Sequence, residues 1–142
     1  MGVLVVCALA LTATATAARS PAAVVRAWNA AVNRGDNEAA ANLFAGNATV
    51  AQGGYILRLK THRLAVLWNK GLPCAAKILT LKVDRRQGVA DATFLLRDRS
   101  PIQRCDAPGI RARAAFTVRR GKIVAWVQLP VPPLKHPGRL KA

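Results

Sequence analysis

The stretch "VVRAWNAAVNRGDNEAAANLFAGNATV", residues 24–50, decides the fold of this chain. Val24, Val25, Trp28, Ala31 and Val32 recur at the spacing of one helix face. Ser20 just upstream suits the cap of that helix, and Pro21 its first position. Gly35 ends it. Asp36 can cap a second helix over "NEAAANLFA", 37–45, with Leu43 and Phe44 as its buried end. Gly46 stops that helix, "ATVAQ", 48–52, reads as a short strand, and the following "GG" breaks it.

Working outward, "YILRLK" (55–60) fits a strand or a helix equally well. "THRLAVLWNKG" (61–71) reads as a third helix capped by Thr61, with Leu64, Leu67 and Trp68 on one face and Gly71 at its end. The remainder reads as strand. "AAKILTLKVD" and "VADATFLLRD" flank the turn "RRQG", and "IRARAAFTVRR" and "KIVAWVQLP" flank Gly121. The third of these alternates: Arg111, Arg113, Thr117 and Arg119 on one face, Ala112, Ala114, Phe116 and Val118 on the other. Three helices followed by four long antiparallel strands make an α+β layer. A curved antiparallel sheet wrapped around N-terminal helices leaves a conical cavity between them.

The 142 residues suffice for one domain. Residues 1–18, "MGVLVVCALALTATATAA", carry no charge. They run from an apolar stretch into small residues with A-x-A matches, the pattern of a cleaved secretory signal. One element of that pattern is missing, since no Lys or Arg precedes the apolar stretch. Its length is short of the roughly 20 residues a membrane span needs. The expected organisation is a signal over 1–18, one domain over 19–130 and a basic, proline-rich tail over 131–142. Export makes the location secreted or extracytoplasmic and leaves Cys74 and Cys105 in the domain. An even count outside the cytoplasm favours a disulfide over two separate buried thiols.

The net charge is +16, with six acidic residues. Such a field favours anionic partners, including an anionic surface or polymer. Arginine is spread along the chain and not gathered in one stripe, which argues against specific nucleic-acid recognition.

The opening, a helix, a Gly-Asp turn, a helix ending in Leu-Phe and a strand, resembles the nuclear transport factor 2-like superfamily in its SnoaL-like branch. "RRGKIVAWVQL" (119–129) is similar to that superfamily's closing hairpin, and "LPCAAKI" with "CDAPGIRARAAF" resembles an exported subgroup with paired cysteines. The resemblance covers 20–130 and implies a cystatin-like cone. It is specific for fold and not for function, because this superfold hosts isomerases, dehydratases, hydrolases, ligand binders and adaptors.

Enzymes of this kind place an acid in the cone, where partial desolvation makes a carboxylate a better base. Near the helix-to-strand junction this chain offers Asn47, which cannot ionise. Asp36 and Glu38 suit a helix start, and Asp84 lies beside a hairpin turn. Asp98 and Asp106 lie in an arginine-rich loop, where Arg97, Arg99 or Arg104 can pair with them. Asp91 alone falls within a strand, facing either the cavity or, with Thr93, the wet face. His62, in the first turn of the third helix, is the other candidate base. His136 lies in the tail. One histidine and two paired cysteines give no closed metal-ligand set, and no cofactor is implied.

Trp28, Trp68 and Trp126 are either core or pocket wall. Tyr55 suits a pocket mouth, and Gln128 could orient a bound molecule. The expected role is non-catalytic binding of a small apolar ligand or a partner in the cone. The alternative is an isomerase or hydrolase with Asp91 or His62 as base and Tyr55 or Gln128 orienting substrate. A second alternative is polyanion binding on a continuous face built from Arg111, Arg113, Arg119 and the Lys and Arg residues of neighbouring strands. The resemblance also implies a homodimer through the open sheet face, against which those arginines weigh.

Overall fold

A computed structural model describes residues 17–99 and 103–133. Residues 1–16 of the expected signal and 134–142 of the expected tail, His136 included, lie outside the described residues. Helix α1 (Pro21–Asn33) begins where Ser20 accepts a hydrogen bond from the Ala23 amide. Its five residues at helical spacing, Val24, Val25, Trp28, Ala31 and Val32, are all buried. Asp36 caps α2 (Asn37–Ala41) through the Ala39 amide, and Thr61 caps α3 (His62–Lys70) through the Leu64 amide.

Six strands follow or interleave: β1 (Phe44–Gln52), β2 (Tyr55–Leu59), β3 (Ala75–Asp84), β4 (Val89–Arg97), β5 (Arg111–Arg119) and β6 (Lys122–Leu129). They form one curved sheet in the order β2-β1-β6-β5-β4-β3. Every pairing is antiparallel except β1 with β6, which is parallel, so the sheet is mixed. The ambiguous 55–60 segment is the edge strand β2.

Two local readings change. The second helix stops at Ala41, and Phe44, expected at its end, already pairs with Ile123. The Ile123 amide donates to the Leu43 carbonyl at 2.8 Å, so β6 takes the backbone groups a longer helix would have used. The strand then shifts register between Phe44 and Thr49, and Asn47, exposed with φ 61°, turns that corner. Asparagine tolerates the left-handed region, which accounts for its presence at a bulge. On α3, Leu67 is exposed, while Ala65 and Asn69 are buried and Leu64 and Trp68 pack against the core.

The core lies between α1 and the inner sheet face. Ala90, Ala92 and Phe94 of β4, Ala114, Phe116 and Val118 of β5, and Ile123 and Trp126 of β6 are buried against it. Small alanines on the strands leave room for a cluster of rings. Trp28 meets Phe116 edge-on at 5.1 Å, and Trp68 meets Trp126 the same way at 5.1 Å. Among the described residues, no helix is long and apolar enough to cross a membrane.

Arg99 closes the helical layer. Its guanidinium is buried and donates to the main-chain carbonyls of Val32, Asn69, Lys70 and Leu72 and to the Asn37 side chain. Burial lowers its pKa from the ordinary value. The expected pairing of Arg99 with Asp98 or Asp106 gives way to this role. The carbonyls at the C-terminal ends of α1 and α3 need donors, and a cation suits them. Asp98 instead accepts from the Cys105 amide at 2.8 Å.

Candidate ligand-binding cavity

A cavity of about 250 Å³ opens between α1, the 72–76 segment and the inner face of the sheet. Its apolar wall is Trp28 and Val32 from α1, Leu72 and Pro73, Phe94 and Leu96 from β4, Ala112 and Ala114 from β5, and Trp126 from β6. The strand alternation puts those β4, β5 and β6 residues on the inner face. Polar groups are few: Asn29, Gln52, Asp106, Arg113 and Gln128. Gln128 and Asp106 are exposed, and Asn29, Gln52 and Arg113 are half-buried, with the Arg113 guanidinium turned to Asp91 on the outer sheet face. Gln128 Oε1 is held by the Gly53 amide at 3.2 Å.

The walls are fixed in three ways. The indole N–H of Trp28 donates to Asn69 Oδ1 at 2.8 Å, and Asn69 is itself fully buried and donates to the Ala65 carbonyl. The Asn33 side chain exchanges two 2.8 Å hydrogen bonds with the main chain of Ala76, as a neighbouring strand would. The Cys74–Cys105 disulfide ties the 72–76 segment to the loop that carries Asp106. Asp106 Oδ1 lies 3.4 Å from Cys74 Sγ. Cys74, Cys105 and Asp106 place their sulfur and oxygen atoms within 4.8 Å of one another, but the disulfide removes both sulfurs as thiolate ligands.

The residues singled out from the sequence divide. Trp28, Trp126 and Gln128 line the cavity, and Trp68 and Tyr55 do not. Trp68 is packed into the ring cluster between Phe44 and Trp126. Tyr55 is 81% exposed beside the β1–β2 turn, on an edge strand that turns it outward.

Neither candidate base reaches the cavity. Asp91 is on the outer sheet face, where Arg113 Nε donates to Oδ1 at 2.9 Å and Nη2 to Oδ2. These bonds hold the Asp91 carboxyl below its usual range against the opposing effect of partial burial, and Lys82 adds to the lowering. A carboxylate so stabilised is a weaker base. The same bonds raise the Arg113 pKa. His62 Nε2 contacts Glu38 Oε2 at 2.7 Å, with both side chains largely exposed. Arg113 is taken by Asp91, Arg119 donates to the Gln87 and Val118 carbonyls, and Ala115 and Thr117 separate them.

Asp106 is the carboxylate at the cavity that the sequence reading assigned elsewhere. Its one available signal was adjacency to Cys105, since a disulfide to Cys74 brings residue 106 to the 72–76 wall. Trp126 Nε1 is a second such feature: it is buried without a hydrogen-bond partner among the described residues.

No protein-family model matches the sequence, and no curated protein matches it. Solved structures do. An NTF2-like protein of unknown function from Cytophaga hutchinsonii is 10% identical with a TM-score of 0.63, covering 78% of this chain and 88% of that one. An uncharacterised cystatin-fold protein from Novosphingobium aromaticivorans is 13% identical with a TM-score of 0.61, covering 79% and 99%. A proposed polyketide cyclase from Sinorhizobium meliloti is 22% identical with a TM-score of 0.58, covering 75% and 93%. The chain therefore has the NTF2-like, cystatin-type α+β cone, and at these identities the likeness is one of fold.

Proposed function

We propose that this domain binds a small, mostly apolar molecule in its cone without transforming it. The observation that carries this reading is the distribution of polarity: the walls are mostly rings and aliphatic groups, and among the described residues the only carboxylate lining the cavity, Asp106, is exposed at its rim. Among the described residues, the other candidate bases, Asp91 and His62, lie outside the cavity lining. The volume lies near the lower end of small-molecule sites, which suits a ligand of one or two fused rings with polar ends toward Gln52, Gln128 and Asp106.

One observation favours a second reading. Asp106 does line the cavity, and a structural neighbour is a proposed polyketide cyclase. An isomerase or hydrolase on this scaffold would use Asp106, and not Asp91 or His62. Asp106→Asn separates the two, because binding survives it and base catalysis does not.

The disulfide fits an extracytoplasmic setting, in line with the signal pattern of residues 1–18. N-terminal sequencing of exported protein is expected to begin near residues 18–20. Recovery of Met1 would remove that part of the reading. Mass spectrometry of organic extracts from purified protein tests the binding reading, with one small apolar species expected in stoichiometric amount. An unliganded cavity in protein that also fails to take up neutral aromatic probes would refute it.

A further inference from the structure

We propose a second binding site, for a polyvalent oxyanion of the phosphate type, in the crevice between the lead-in to α1, the α1–α2 corner and the β5–β6 turn. The crevice measures about 590 Å³, and Arg19, Arg34, Arg120 and Lys122 line it, with no Asp or Glu among the described residues of its lining. Alanines of α1 and α2 form part of its lining, so no bulky side chain fills it.

The positive charge there is not neutralised from within. Among the described residues, neither Arg19 nor Arg120 has a hydrogen-bond or ion-pair partner, and both are exposed. Lys122 Nζ donates to the Asn42 carbonyl, a neutral acceptor. Arg34 lies 3.9 Å from Asp36, but both side chains are largely exposed and screened by water. This sets the crevice apart from the outer sheet face, where Arg113 is already paired with an acid.

The walls are also fixed to one another. The Ile123 amide bonds to the Leu43 carbonyl at 2.8 Å, joining the start of β6 to the link between α2 and β1. The Arg19 nitrogen would lie 3.2 Å from a Cβ placed on Gly121, so the lead-in crosses the turn in close contact.

Arg120 is the telling residue. It has φ 50° in a tight turn with Gly121 at φ 73°, a conformation that favours Asn, Asp or Gly. Arginine is a poor choice for the turn itself and a good one for presenting a guanidinium at the crevice edge. A planar guanidinium matches two oxygens of a phosphate at once. Clustered cations also repel one another, a cost that one multiply charged anion relieves better than several single charges.

The test is calorimetric titration of the protein beginning at Ala18, with Arg19 retained, using inorganic tripolyphosphate and, separately, inorganic phosphate. Arg34→Gln/Arg120→Gln is compared with Arg97→Gln/Arg111→Gln, which removes the same charge at the opposite end of β4 and β5. One tripolyphosphate per chain is expected. Binding should weaken about tenfold or more in the first double variant and less than about twofold in the second. Inorganic phosphate should bind far more weakly. Arg120→Gly controls for folding, because glycine suits the left-handed turn. It should keep the melting temperature and weaken binding. Equal losses in the two double variants, absence of saturable binding, or unchanged binding in Arg120→Gly would each overturn the proposal.

Discussion

Trp28 and Asn69 are joined by a buried hydrogen bond, with the indole N–H donating to Asn69 Oδ1 at 2.8 Å. Trp126, in the same ring cluster, has a buried N–H without an acceptor among the described residues. The two tryptophans provide a matched pair. Trp28→Phe strands a fully buried amide oxygen, whereas Trp126→Phe removes ring volume and no hydrogen bond. Trp28→Phe should therefore be the less stable by about 1–3 kcal/mol in urea unfolding. Equal stabilities would show that the bond contributes nothing net.

Arg99 satisfies carbonyls from both α1 and α3. Arg99→Met keeps an apolar stem but leaves those carbonyls without donors, and should cost at least about 3 kcal/mol. Arg99→Lys should recover only part of this, because one ammonium cannot span positions that a guanidinium fork reaches. Full recovery by lysine in a denaturant titration would contradict this role.

The Asp91–Arg113 pair makes stability depend on pH in a defined direction. Asp91 titrates below its ordinary value of 3.8 in the folded chain. Its contribution is therefore fully present above the unfolded-state value and is lost as pH falls through the folded-state value. Wild type should exceed Asp91→Asn by about 1 kcal/mol or less near neutrality, since the pair is partly exposed. The gap should close below about pH 4. A gap that stays constant into strong acid would rule out this ion pair as its source.

Cys74 and Cys105, 31 positions apart, close a loop that contains all of β3 and β4, with Asp106 just outside it. Intact mass should rise by about 2 daltons on reduction and unfolding. In the chain-entropy model, the reduced protein should be less stable by about 3–4 kcal/mol. Reduction should also loosen the cavity wall at 72–76 and weaken ligand binding more than Asp106→Asn does. Identical oxidised and reduced masses would contradict the bridge.

Much of the fold was legible because its signals are local. The α1 face, its Ser20 cap and the hairpin turns at Gly88 and Gly121 each depend on residues within a few positions. The fate of Phe44 was not, because its strand partner Ile123 is far away in sequence, and a parallel β1–β6 pairing leaves no hairpin signature. Leu67 shows a similar limit: helical spacing identifies a face but not which neighbours cover it. Asp98 and Asp106 were expected to pair with Arg97, Arg99 or Arg104, their neighbours in sequence. The loop sends Arg99 under the helices and, through the disulfide, Asp106 to the cavity rim. Asn47, which invited comparison with a missing catalytic acid, is explained by its left-handed backbone at a bulge.

The central claim is that the cone is a receptor for a small apolar molecule. Fluorescence titration with neutral 2-naphthol, using the wild type and Ala112→Leu, tests it most directly. Ala112 lines the cavity, and leucine there fills space without adding charge. The expected result is saturable binding of one probe per chain in the wild type, with Kd on the order of micromolar, and at least about tenfold weaker binding in a variant of unchanged melting temperature. Absence of saturable binding, or equal binding by both proteins, would contradict the claim.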